Sequence, residues 1–167
     1  MTQIDGLLMK LRKNSPIPDN NHIIRYISPN KLRKDENDNI IGILGEAFKL
    51  RDGEASLSAN HLEHFSEPHN EQITHAVKEF RKHFNAKPNA GFAIGKVSDI
   101  KQTCLTERNI KIYIVSSPTK KYDLEGNPYK NESHVDVKSI PSDDTGLLDL
   151  LANEAWGHLV LNKAIPI

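Results

Sequence analysis

The sequence predicts an α+β domain: a mainly antiparallel sheet of about five strands packed against two main helices. Short segments dense in β-branched and aromatic residues recur at 22–27, 91–97, 110–116 and 133–140, and 40–51 reads as a further, irregular strand or hairpin. Two longer stretches, 69–84 and 145–161, carry apolar residues at helical spacing. Strand and helix do not alternate regularly, which argues against a doubly wound parallel sheet, while partial closure into a barrel is compatible with the pattern.

Taken in order, residues 1–20 read as a loosely attached segment before a single domain over 21–167. Leu7, Leu8 and Leu11 suit one or two helical turns over 6–13, and Pro16 and Pro18 then break regular structure. The first core strand ends at Ser28-Pro29, with a short helical turn expected over 30–34. Residues 56–63 read as a short helix capped by Ser56 or Ser58. The clearest helix, 69–84, aligns Ile73, Ala76, Val77, Phe80 and Phe84, and Pro88 lies just beyond it. Ser98 is the expected cap of a helix over 99–106, and the apolar density of 110–115 suits a central strand. The polar span 116–133 is long enough to be functional or mobile. Asp143 and Asp144 place negative charge at the start of the last helix, whose face carries Leu147, Leu148, Leu151, Ala155 and Leu159.

Composition narrows the function classes. The 167 residues hold 22 basic and 22 acidic side chains, so neither a general nucleic-acid coat nor a polybasic membrane-surface protein is expected. Cys104 is the one cysteine, which excludes an internal disulfide and a cysteine-based zinc cluster and fits a reducing compartment. No apolar run approaches the ~20 residues needed to span a bilayer. The start, MTQIDGLLMKLRKN, is too charged for a secretory signal, so a cytoplasmic location is expected. No nucleotide-binding glycine loop or nucleophile elbow occurs, and no cofactor is implied.

Eight histidines stand out. Four of them, His61, His64, His69 and His75, fall among Glu63, Glu67 and Glu71. Their spacing matches no zinc motif, and no metal ligand set is assigned to them. His134 and Asp136, two apart on a strand, share one side and can form a general base with its orienting carboxylate. Arg25, inside an otherwise apolar strand, needs an anionic partner, either a carboxylate of this chain or a ligand phosphate. Tyr26, Ser58 and Asn60 are the accompanying candidates for ligand binding.

The order Arg25-Tyr26-Ile-Ser-Pro29, Ala47-Phe-Lys-Leu-Arg51, Leu57-Ser-Ala-Asn-His-Leu-Glu63 and Ser133-His134-Val-Asp-Val resembles a loose group of small bacterial cytosolic proteins. The resemblance spans about residues 22–160. It implies a shared fold and directs attention to Arg25, Ser58, Asn60 and His134 together, but brings no activity. Two functions therefore stay open. The favoured one is a non-catalytic binding or accessory protein acting through a protein partner encoded nearby. The alternative is a small enzyme acting on a nucleotide or nucleic-acid phosphodiester, nuclease-like or a dinucleotide-dependent group transferase. In that case Arg25 would hold phosphate, His134 would move the proton and Asp136 would orient it.

Overall fold

A computed structural model describes residues 13–167 of the chain. In chain order the elements are β1 (His22–Ile27), β2 (Leu32–Lys34), β3 (Ile40–Ile43), β4 (Ser56–His61), α1 (His69–Arg81), β5 (Gly91–Lys96), α2 (Val97–Arg108), β6 (Tyr113–Ser116), β7 (Thr119–Tyr122), β8 (Pro128–Asn131), β9 (His134–Lys138), α3 (Thr145–Leu150) and β10 (His158–Leu161). The fold is α+β. Six strands pair antiparallel in the order β10-β5-β1-β4-β9-β6, and β2-β3 and β7-β8 form two separate hairpins. Among the described residues the sheet is open, has one strand more than about five, and is accompanied by three α-helices.

The helices divide between the two faces of the sheet, where one covered face was expected. On one face, Ile23, Ile27, Leu57, Val135 and Val137 pack with Ile100 and Cys104 of α2 and Leu147 and Leu148 of α3. On the other, Ile24, Phe92 and Ile94 pack beneath Ile73, Ala76 and Val77 of α1. β5 is accordingly buried from Gly91 through Gly95. Among the described residues no helix is long and apolar enough to cross a membrane.

Several local expectations give way to tertiary context. The segment 56–63 is strand β4 followed by the 3-10 turn Leu62–His64, because Leu57 and Ala59 alternate into the core and five residues pair with β9. Period-2 burial outweighs the helix-cap chemistry of its serines. The segment 40–51 does not join the main sheet; β3 pairs with β2, and the 3-10 turn Gly45–Phe48 follows. The short helical turn expected over 30–34 is confined to the 3-10 turn Pro29–Lys31.

β6 is terminal in the six-strand order rather than central. Its outer side is met by residues 14–17, through Asn14 N–H to the Ser116 carbonyl (2.6 Å) and Ile17 N–H to the Ile114 carbonyl (2.9 Å). Ile17 is buried, so this part of the segment expected to be loosely attached is anchored. The helical turns expected over 6–13 lie outside the described residues but for Lys13. The polar span 116–133 is largely the β7-β8 hairpin, its turn held by Asp123 Oδ1 accepting from the N–H groups of Glu125 and Asn127.

The final helix stops well before residue 161. α3, capped by Asp144, runs into a π turn at Leu151–Ala155, then Trp156, and the chain returns as β10. Trp156 is fully buried, stacks on Phe48 at 4.5 Å and donates from Nε1 to the Ala93 carbonyl (3.3 Å). A continuing helix would have to forgo that burial. Gly95 makes the approach possible: a Cβ there would stand 2.8 Å from both the Ala155 carbonyl and Trp156 Cδ1. Gly95→Ala should therefore destabilise the protein by about 1–3 kcal/mol through overpacking, read as a lower urea midpoint with the slope unchanged.

Candidate functional site

The site begins where the sheet comes apart. β1 pairs with β5 along its whole length, and β4 pairs with β9 over five residues. Between β1 and β4, however, only Ile23 with His61 and Ile24 with Asn60 are in register. From Arg25 onward the two strands no longer pair, and a cleft of about 640 Å³ opens there. Arg25 reaches across the break. Its Nε donates to the Ala47 carbonyl at 3.0 Å and its Nη1 to the Ser58 carbonyl at 2.7 Å.

Two other arginines, Arg81 half-buried and Arg108 exposed, show what is unusual about Arg25. Arg81 donates five hydrogen bonds to Asn162, Ile165 and Pro166, which ties the end of α1 to the C-terminal segment. Arg108 forms a two-pronged pair with Asp144 at 2.7 and 3.3 Å. Arg25 has neither arrangement: it makes two bonds to neutral carbonyls and no ion pair with any described carboxylate. Burial pulls its pKa down to about 10; Glu54 opposes the shift and Arg51 adds to it. Its remaining N–H groups are not sealed within the protein.

Arg25, Tyr26, Ser58, Asn60 and His134 all line this one cleft. Lys31, Lys49, Arg51 and Lys121 add further positive charge around it, against Glu46 and Asp52. Lys31 is paired with Glu46 at 3.0 Å. The apolar wall is aromatic: the Tyr26 ring stacks on Phe80 at 5.3 Å and tilts against Phe84 at 4.9 Å. The Tyr26 hydroxyl accepts from Lys87 N–H, so Tyr26 contributes mainly its ring. Ser58 is exposed, and its backbone carbonyl is what holds Arg25.

Two polar groups have fixed orientations. Asn60 Oδ1 accepts from Asn131 Nδ2 (3.1 Å) and lies 3.2 Å from Ser133 Oγ, whose single proton also faces Asn131 Oδ1 at 2.9 Å; this leaves the Asn60 amide N–H groups as donors. His134 is buried and its Nδ1 lies 2.9 Å from the Ser117 carbonyl. A carbonyl only accepts, so Nδ1 carries the proton and Nε2 is the free acceptor. Burial lowers the His134 pKa, against opposing contributions from the Ser117 hydrogen bond and Asp136, while Lys121 lowers it further. Asp136 is not among the cleft-lining residues, and its carboxylate stands 4.0 Å from Nδ1. The orienting contact comes from Ser117, not from the expected carboxylate.

Sequence reasoning missed His83, Lys121, Asn131 and Phe80 in the wall of the cleft. The polar span 116–133 was a signal for Lys121 and Asn131. His83 carried none, because its importance comes from α1 ending beside the β7-β8 hairpin, where its ring meets Tyr129 at 5.3 Å. Its Nδ1 is buried without a hydrogen-bond partner, and burial and Lys121 lower its pKa.

The four clustered histidines do not form one ligand set. His61 Nε2 bonds Asn21 Oδ1 at 2.7 Å, and His75 lies between Glu67 and Glu79. His61 and His64 do not share a helix face, since one ends β4 and the other closes a 3-10 turn. Comparison of the chain with protein-family models, curated proteins and solved structures returns no match.

The buried His134 and the partly buried His61 and His83 give the fold an acid limit. Burial depresses the His61 pKa from 6.5 to about 4, with Glu63 opposing and His64 adding to the shift. The unfolded chain therefore binds this proton first, and stability falls as pH drops from about 6.5 toward 4, by on the order of 3 kcal/mol from His61 alone. The directions for His83 and His134 are the same. Urea unfolding at pH 7, 5.5 and 4.5 should show this loss, and His61→Gln should flatten its slope.

Proposed function

We propose that the cleft binds a small phosphorylated ligand of the nucleotide type. The observation that carries this reading is Arg25: a half-buried guanidinium held by two backbone carbonyls, with N–H groups left over and no described carboxylate in an ion pair with it. Burying such a charge without a counter-ion is costly, and an anionic ligand would supply one. The surrounding Lys49, Arg51 and Lys121 favour more than one negative charge. The ring faces of Tyr26, Phe80 and Phe84 suit a planar or apolar portion, and Asn60 offers a hydrogen-bond donor beside it. The cleft volume of about 640 Å³ is in the range of small-molecule sites. A ligand-binding protein is the reading these features favour, and the protein partner expected from the sequence would then respond to the bound state.

A second reading is favoured by one specific observation. His134 presents a neutral Nε2 from a buried, oriented imidazole in the same cleft, which is the state a general base requires. A small enzyme acting on a nucleotide or phosphodiester would use Arg25 for the phosphate and His134 for the proton, with Ser117 rather than Asp136 orienting the ring.

Calorimetric titration with AMP, ADP, NAD, adenosine and inorganic phosphate tests both readings. The nucleotides should bind and adenosine should bind far more weakly. Arg25→Gln should weaken nucleotide binding roughly 10- to 100-fold, the loss of one or two charged hydrogen bonds. Equal affinity for adenosine and AMP, or unchanged affinity in Arg25→Gln, overturns the proposal. Incubation with the nucleotides separates the two functions: turnover abolished by His134→Gln with binding retained identifies an enzyme, and binding without turnover identifies a binding protein.

A further inference from the structure

Away from the cleft, at the opposite end of β1, the fold brings His22 to two side chains of the histidine- and glutamate-rich run, Glu63 and His69. His22 opens β1, Glu63 sits in the 3-10 turn after β4, and His69 is the first residue of α1. One ligating atom from each lies within 4.8 Å of the other two. We infer that His22, Glu63 and His69 form a site for a divalent transition-metal ion of the zinc class, independent of the cleft.

The donor set is appropriate in kind. Two imidazoles and one carboxylate suit zinc and its borderline neighbours and leave coordination positions for water. The carboxylate is already oriented: Glu63 Oε1 accepts from the His22 backbone N–H at 2.6 Å, and Oε2 lies 2.6 Å from His22 Nδ1. The His69 ring stands 5.0 Å from that of His22, and its nitrogens make no hydrogen bond or ion pair with any described residue. An imidazole placed beside a carboxylate–imidazole pair without bonding either is what a metal between them would use.

The spacing is also within reach of coordination. Bonds of about 2.0–2.1 Å place tetrahedral ligand atoms roughly 3.3 Å apart, between the 2.6 Å of the His22–Glu63 contact and the 4.8 Å limit of the trio. Closing on an ion therefore parts one pair slightly and draws in His69, which is exposed and stands at a helix end. His22 and Glu63 are each only about a quarter exposed, so the rest of the site is held by the fold. His61 Nε2, 3.9 Å from Glu63 Oε1, supplies a further polar neighbour, already engaged with Asn21. The nearest basic residue by strand register is Lys96, which is exposed. Binding would join β1, the 3-10 turn and α1 at one point, and so add stability by mass action.

The test is titration of the metal-stripped full chain with zinc by calorimetry and with cobalt(II) by visible absorption. One zinc per chain should bind at micromolar concentration or below, cobalt should give the intense bands of a tetrahedral site, and chelator should lower the melting temperature of the loaded protein. His69→Ala removes an exposed side chain and should fold normally, yet weaken zinc at least about tenfold. Glu63→Gln should do the same while keeping the shape of the contact. His158→Ala, a change at an exposed histidine elsewhere, should leave zinc binding unaltered. Failure to bind zinc or cobalt, unchanged affinity in both His69→Ala and Glu63→Gln, or equal loss in His158→Ala would each overturn the site.

Discussion

The break in pairing between β1 and β4 is the constraint around which the molecule is arranged. β1 is committed to β5 along its whole length, and β4 is committed to β9 over five residues. After Ile24 and Asn60 those two commitments diverge. The 3-10 turn Gly45–Phe48 lies beside the opening, fixed by Phe48, which is fully buried against Trp156. Unpaired backbone in such a place needs partners. Arg25 provides them, bonding one carbonyl of the turn and one of β4.

This arrangement makes a structural tie and a recognition site from the same side chain. Two of the arginine's N–H groups hold the two sides of the break together, while its charge is left without a carboxylate. Arg81 and Arg108 show that this chain can saturate or neutralise an arginine where it needs only stability. The buried histidines extend the theme. His61, His83 and His134 are all pushed toward the neutral form by burial, and His61 and His134 act there as hydrogen-bonding groups, to Asn21 and to the Ser117 carbonyl. Their cost appears only on acidification.

The fold was legible in the residues where one periodicity dominated. His22–Ile27, the core of 91–97, the end of 110–116 and His134–Lys138 are strands, and His69–Arg81 is a helix with the expected apolar stripe. Residues 56–63 were misread because Ser and Asn are good helix caps and poor strand formers, and only pairing with β9 and the burial of Leu57 and Ala59 override that local preference. The last segment was misread because Leu147, Leu148, Leu151 and Ala155 do follow a helical period. The burial of Trp156 against Phe48, a residue more than a hundred positions away, ends the helix.

By itself the sequence determined the class of the fold, the balance of charge, and the presence of one arginine in an apolar strand that required explanation. It also supplied His134 and Asn60 as candidates, the first because alternate residues of a strand share a face, the second through the resemblance carried by Leu57-Ser-Ala-Asn60. Which of these meet was decided only by tertiary structure. Arg25, Tyr26, Ser58, Asn60 and His134 line one cleft because β1 and β4 separate, and Asp136 lies outside its wall. Likewise the conspicuous run of histidines does not act as one ligand set: His61 and His75 bond elsewhere, while His69 and Glu63 of that run meet His22 across more than forty residues of chain. Spacing along the chain governs local periodicity. Convergence depends on strand order and on where pairing stops, and those follow from the packing of the whole core.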